Sequence, residues 1–467
     1  MWANCYLPRP SPMNLRALRE ASPALSLLLG HAALAVALFA TNGGESLLGV
    51  FCVFGTLAWW TQALVGLSRR RAPAVGDAVG VAWLVAVVSV IVSIGLSFIR
   101  PPGLYLRSSM APFLVLDGVA GVLLWTYRRD LSGAPLSPRL RVARRAALFA
   151  LALAVGAWML RASPNPDIDV FPINQQAAQL ILAGKPLYAP GAVGVLDTWH
   201  HRDFLDSYLY LPFGACCDAL AYALSGDVRW AQLVAQLLGG ALLWIIARRV
   251  GPRDGAPRRE AWADLLAAIF LFHPRGPFVL EEAWAEPLGV PLLGGFVLFM
   301  LQKRPFAASV CIGFLCATKQ QLLFYVPFLA LVPGFGFAPL VVAGVVTLAV
   351  MAPFVLRSVP DFYRATVSNL VHYPVRTDAL NVTSELARVG ILMPSWVGFC
   401  GWFVPVAYLP RIPRELTPLL VASCVAFTLF FLFGRQAFCN YYYLLDATAL
   451  YALATLRDGV ESAPVAR

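Results

Sequence analysis

"AALFALALAVGAWMLRASPNPDIDVFPINQQAAQLILAGKPLY", residues 146–188, joins an unbroken apolar run to a polar segment that carries Asp167 and Asp169. Residues 146–160 contain no charged side chain and show no alternation of polar and apolar positions, which argues against a half-buried strand and for a helix shielded from water. The same kind of block recurs along the chain, which is 59% hydrophobic and 13% charged. A bilayer-spanning helix needs about 20 largely apolar residues, and only helices or closed barrels satisfy every backbone group in lipid. Continuous rather than alternating blocks select helices.

The predicted fold is therefore all-α, a polytopic transmembrane helical bundle of about 13–14 spans. Spans are predicted over 24–41, 46–67, 77–99, 109–127, 146–160, 208–225, 228–247, 261–273, 285–301, 305–332, 338–357, 389–409, 415–433 and 441–456. Residues 305–332 read as a hairpin of two short helices, because Lys319-Gln320-Gln321 interrupts the apolar stretch and its polar tip belongs at the outer interface or in an internal cavity. No internal repeat, phosphate-binding glycine loop, HExxH or GxSxG pattern is present. The nine cysteines lie mostly within apolar blocks without CxxC spacing, which points to packing.

A net charge of +11 does not indicate nucleic acid, because the positive residues form short clusters between apolar blocks. Arg69–Arg71, Arg128 and Arg129, Arg139–Arg145, Arg248–Arg259, Lys303 and Arg304, and Arg411–Arg414 read as cytoplasmic loops by the positive-inside rule. Three blocks then lie between two basic loops, and an odd number of crossings cannot return the chain to its starting side. Residues 208–225, with Pro212 and Asp218, are the segment expected to be re-entrant or interfacial; the alternative is an external 248–259 loop. The domain reading is a cytoplasmic tail over 1–23 with no cleavable signal peptide, an N-terminal four-helix extension over 24–145, a membrane domain over 146–456 with an external loop at 161–207, and a cytoplasmic tail over 457–467.

The segment after residue 162 falls on the outer side. Pro172 favours a helix start and Gly184 a helix end, with Ile173, Ala177, Leu180 and Ile181 on one face and Asn174, Gln175 and Gln179 toward the other. Such a helix is predicted to lie in the membrane interface and moor the two carboxylates. Taken alone, Asp167 and Asp169 read as solvated loop or capping residues, as most loop aspartates are. Other outward segments shift that balance: Trp199-His200-His201-Arg202-Asp203, His273-Pro274-Arg275, Glu281-Glu282 with Glu286, Lys319-Gln320, His372-Tyr373 with Arg376 and Asp378, and Arg435-Gln436 with Asn440. Asn381-Val382-Thr383 also matches a glycosylation acceptor pattern, one too short to be specific.

Several of these segments resemble the GT-C glycosyltransferases. Asp167-Ile-Asp-Val-Phe171, Leu-Ala-Gly-Lys-Pro-Leu-Tyr188, Tyr208-Leu-Tyr-Leu-Pro212, Ala317-Thr-Lys-Gln320, Asn369–Asp378 and Gln436-Ala-Phe-Cys-Asn-Tyr-Tyr442 are similar to segments of bacterial polyprenyl-phosphate-mannose-dependent mannosyltransferases, over roughly residues 146–456. The resemblance implies a GT-C-like fold with short interfacial helices in the external loop. It also implies a polyprenyl-phosphate sugar donor, a lipid or glycan acceptor, and an external-loop aspartate as general base. Asp167 aligns best with that aspartate and Asp169 second.

Arg376, Arg435, Lys319 and His372 are then candidates for the donor phosphate. Gln175, Tyr188, Tyr208, His273, Glu282, Gln320 and Asn440 are candidates for sugar or acceptor. The resemblance suggests mannose and a bacterial inner membrane, with the site facing the extracytoplasmic side. Membrane lipids are the other expected partners and nucleic acid is not one. No cofactor is called for, no residue is assigned to a metal, and a divalent metal stays open. The competing readings are a transporter or flippase of lipid-linked or anionic substrates, and a non-catalytic scaffold in which the outward charges would scatter rather than converge.

Overall fold

The computed structural model describes residues 21–194, 206–252 and 255–457. Its elements are helices, with one isolated antiparallel bridge between Gly44 and Ala379 and no strand among the described residues. The longer helices are α1 Pro23–Thr41, α2 Leu47–Ser68, α3 Val75–Gly95, α4 Ala111–Trp125, α5 Pro138–Ala162, α6 Val170–Leu182, α7 Pro212–Ser225, α8 Arg229–Val250, α9 Ala256–Leu271, α10 Glu286–Leu301, α11 Pro305–Cys316, α12 Phe337–Val355, α13 Trp396–Tyr408, α14 Leu416–Phe433 and α15 Cys439–Ala454. Among the described residues, seven helices (α1, α2, α3, α5, α8, α12 and α14) are long and apolar enough to cross a membrane. The protein is a multi-pass, all-helical membrane protein.

Local chemistry sets the helix ends. Ser22 and Ser46 accept from the backbone N–H groups of Leu25 and Gly49, each at 3.2 Å, capping α1 and α2. Proline stands in the first turn of α5, α7 and α11, where its missing N–H costs nothing. Helix α15 is buried along its whole length, and one apolar core runs without a break from Ala24 of α1 to Leu456 beyond α15. By contrast only 11% of the apolar window of α12 is buried, so its faces meet lipid.

The arginine clusters do more than mark topology. Arg139–Arg145 is not a loop: it forms the first turns of α5, which begins eight residues before the predicted span. There Arg145 meets Asp264 of α9 at 2.5 Å, Arg141 meets Glu260 at 3.0 Å, and Arg144 pairs with Asp130. These contacts put the N-termini of α5 and α9 at one end of the bundle, with the C-terminus of α8 joined to α9 by a short link.

At the other end, Arg229 at the start of α8 donates to the Ser163 and Leu160 carbonyls at the end of α5, at 2.7 and 3.3 Å. The chain between 163 and 229 therefore leaves and re-enters the bundle at the same end. Helix α7 has 14 residues. That is about 21 Å of helix, short of a hydrocarbon core of about 30 Å. Segment 208–225 makes no net crossing, which resolves the parity of the predicted spans.

Residues 305–332 form the expected interrupted hairpin. Helix α11 stops at Cys316, Lys319 is extended, and the chain turns back through a 3-10 segment, Gln320–Tyr325, into the bundle, where Tyr325 and Thr448 of α15 share a 2.9 Å hydrogen bond.

Candidate active site

A cavity of about 920 Å³ opens at the end of the bundle away from Arg139–Arg145. Asp167, Asp169, Lys319, Gln320, Arg376, Arg435 and Asn440 all line it, so seven of the residues singled out in the sequence converge. The pattern expected of a scaffold, with scattered charges, is not what the chain adopts.

The carboxylate side is built by the link from α5 to α6. Helix α6 docks on α7, burying Phe171, Ile173, Ala177 and Ala178. Gly184, at φ +65°, ends it, and the Lys185 N–H reaches back to the Leu180 carbonyl at 2.8 Å. The polar face does not all turn outward as the pattern suggested. Asn174 is fully buried and its amide donates to the Ala283 carbonyl at 2.8 Å, tying the helix to the segment before α10. A buried amide needs such a partner, and the pairing fixes the helix rotation. Asp167 is exposed and has no hydrogen-bond partner among the described residues, whereas Asp169 is half-buried at the start of α6.

Opposite these carboxylates stands Tyr105, from the loop between α3 and α4. Burial, followed by the charges of Glu282, Asp167, Glu281 and Asp169, pushes its phenol well above the ordinary value. The loop is held by Glu281, whose carboxylate accepts from the Leu104 and Tyr105 N–H groups at 2.5 and 3.0 Å. Gly103 packs against that carboxylate, and a Cβ on it would lie 2.6 Å from both Glu281 oxygens and displace them.

The cation side is a buried network. Lys319 Nζ lies 2.6 Å from Glu286 Oε1 and 4.6 Å from the ring centroids of both Tyr210 and Tyr441. Burial alone would lower the Lys319 ammonium, but the Glu286 carboxylate beside it holds it above lysine's ordinary value. Asn440 donates to Glu286 Oε2 at 2.6 Å and Gln321 to Oε1 at 3.3 Å. Gln320 brackets the Leu209 and Thr366 carbonyls at 2.8 and 2.9 Å.

Arg376 is held by both oxygens of Asp378, at 2.7 and 2.5 Å, which neutralises it. Arg435 instead donates to the Val371 and Tyr373 carbonyls at 2.6 and 2.8 Å and has no carboxylate partner among the described residues. It is the lining cation with its charge uncompensated. Beyond it the wall becomes aromatic: Phe324, Phe399 and Phe430 line the cavity with ring centroids 5.2–5.8 Å apart, and Phe399 belongs to α13, whose Trp396 and Phe403 are exposed on the bundle surface.

Six predicted residues fall outside the lining. His372 is exposed and bonds the Ser368 carbonyl at 2.8 Å. Gln175 is half-buried on α6, away from the cavity wall. Tyr188 donates to the Tyr210 carbonyl at 2.9 Å, and Tyr208 is fully buried between Tyr188 and Tyr210, so both act as a shelf behind Tyr210. His273 is buried beside Asp446 and His31. Glu282 is buried too, and burial with the neighbouring Glu281 and Asp169 pushes its carboxyl well above the ordinary value. Residues 199–203, with His200 and His201, lie outside the described residues. Among the described residues no group of three His, Cys, Asp or Glu is placed to hold a metal ion.

Asn381 is no glycosylation site. It is fully buried, its Oδ1 caps the Ser384 N–H at 2.7 Å, and its amide reaches the Gly434 carbonyl at 3.1 Å, bracing the Arg376 and Arg435 loops together. Asn381→Ala is expected to destabilise the protein by about 1–2 kcal/mol, read as a lower denaturation midpoint in detergent. An unchanged midpoint would remove this brace from the account.

Sequence reasoning passed over Tyr105, Asn42, Tyr210, Tyr441 and Trp284, all of which line the cavity. The tandem Glu281-Glu282 was the one available signal, since adjacent buried carboxylates demand distant donors.

Two crystal structures of ArnT from Cupriavidus metallidurans align with the chain, one bound to undecaprenyl phosphate and one in the apo state. Identities are 18% and 17%, the TM-score is 0.42 for each, and the alignments cover 66% of this chain and 59% and 58% of theirs. The chain thus spans under two thirds of the length of those structures. No family model and no curated protein matches it. A likeness this distant carries no functional argument, so function is argued from the site.

Proposed function

We propose that the protein is a GT-C-type membrane glycosyltransferase that moves a sugar from a polyprenyl-phosphate donor to a lipid or glycan acceptor on the extracytoplasmic face of a bacterial inner membrane. The supporting observation is the convergence, in one cavity, of an unpartnered carboxylate, an uncompensated arginine and an aromatic wall that continues to the lipid-facing surface. Each matches one part of such a donor. The isoprenoid chain takes the aromatic side, the phosphate takes Arg435 with Lys319 behind it, and the sugar takes the space toward Asp167. The arginine-rich end is the cytoplasmic one by the positive-inside rule, which leaves the cavity outside.

In the reaction, Asp167 accepts the proton of an acceptor hydroxyl as its oxygen bonds to the anomeric carbon. The bond from that carbon to the phosphate oxygen breaks, and the polyprenyl phosphate leaves with the electron pair and the new negative charge, which Arg435 stabilises. A single displacement inverts the anomeric centre. Asp169 is the second choice for the base, and mannose is the sugar the sequence resemblance favours.

Binding of undecaprenyl phosphate to the purified protein tests the phosphate assignment. A charge-assisted hydrogen bond is worth about 1.5–3 kcal/mol, so Arg435→Gln is expected to weaken binding about ten- to a hundredfold, with Arg435→Lys in between. Equal affinity for all three forms would overturn the phosphate role of Arg435.

A further inference from the structure

We infer that the loop between α3 and α4 forms the acceptor wall of the active site, and that the Tyr105 hydroxyl contacts a hydroxyl of a sugar or polyol acceptor. The inference rests on the transferase reading. It assigns a substrate contact to the helices before residue 146, which the sequence resemblance leaves out.

Two observations carry it. Tyr105 lines the cavity half-buried, and its hydroxyl has no hydrogen-bond partner among the described residues. Its backbone is fixed by Glu281, with Gly103 against the carboxylate, so the loop that carries the ring is placed in advance rather than ordered on binding. Asn42, at the turn after α1, also lines the cavity, but its Oδ1 is buried and offers no open acceptor.

The order of groups around the cavity indicates the ligand. Asp169 is an electrostatic neighbour of both Tyr105 and Tyr210, and Tyr210 in turn stacks on Lys319. Asp169 thus stands between a hydroxyl-bearing side, with Tyr105, and the cationic Lys319. A donor phosphate belongs with the cations, and the nucleophilic hydroxyl must approach from across the base. A phenol held protonated among carboxylates donates a hydrogen bond and repels no neutral polyol. Tyr105 presents a hydroxyl, donor and acceptor at once, together with an aromatic face, a set suited to a sugar ring.

The test uses the full chain in detergent, with octyl mannoside and octyl glucoside as surrogate acceptors. In the transfer assay Tyr105→Phe is expected to raise the KM for the alkyl glycoside about tenfold while the donor KM and the affinity for undecaprenyl phosphate change less than twofold. A parallel rise in donor KM, or no change in acceptor KM, overturns the inference. A second arm does not depend on turnover: Tyr105→Cys is labelled with a maleimide, and modification at position 105 is followed by mass spectrometry. Octyl glycosides are expected to slow labelling, and undecaprenyl phosphate alone is not. Protection without any transfer by the wild type would sink the transferase reading and leave the polyol contact standing. Transfer without protection would do the reverse.

Discussion

Asp167→Asn is expected to lower sugar transfer from a polyprenyl-phosphate donor by about a thousandfold, within the roughly 10²–10⁴ contributed by a positioned general base. Binding of undecaprenyl phosphate should stay within twofold of wild type, because Asp167 is exposed at the cavity and supports no other residue among those described. The same independence means the variant should fold normally. Asp169→Asn is expected to cost less in rate, as Asp169 stands half-buried at the start of α6. Rates are read from transfer of radiolabelled sugar in detergent or proteoliposomes. If Asp169→Asn abolishes transfer and Asp167→Asn spares it, the base is Asp169. If neither variant slows transfer while both bind undecaprenyl phosphate, no loop carboxylate is the base.

The Lys319–Glu286 pair gives the second large effect. Both side chains are almost wholly buried, 2.6 Å apart, and Glu286 also receives Asn440 and Gln321. Removing one member leaves the other charge stranded in the interior, which costs about 3–5 kcal/mol. Lys319→Met and Glu286→Gln should each lower the denaturation midpoint strongly. The double variant should recover much of the loss, since removing both charges removes the unpaired one. Activity separates the two roles: if Lys319 stabilises the departing phosphate, the double variant stays slow although it is stable again. Recovery of both stability and rate would make the pair a structural support only.

How much of this could be read from residues alone depends on sequence distance. The helices were legible because apolar continuity is local, and so was the interruption at Lys319-Gln320-Gln321, where three polar residues divide a stretch too short for two full spans. The parity argument around 208–225 was legible for the same reason, since positive charge marks one end of a bundle. Partnerships were not. Glu286 meets Lys319 at a separation of 33 residues and Asn440 at 154, and Glu281 meets Leu104 at 177. Nothing in the local pattern separates Glu281, which clamps a loop, from Glu282, which is buried without such a contact.

Asn174 misled for a physical reason. A polar residue on a helix reads as outward-facing until a carbonyl such as that of Ala283 is placed within reach. Arg376 and Arg435 look alike in sequence, and only the geometry separates the neutralised one from the free one. Tyr105 escaped because its value lies in what surrounds it. The helices that present it carry none of the resembling motifs, yet they share one continuous core with α14 and α15.

The most direct measurement is the fate of a radiolabelled polyprenyl-phosphate sugar offered to the wild-type protein in proteoliposomes with octyl glycosides present. The account predicts that label moves to the glycoside and that polyprenyl phosphate accumulates in equal amount, with the anomeric configuration inverted in the product. Donor recovered intact after incubation with folded protein that binds undecaprenyl phosphate would contradict it.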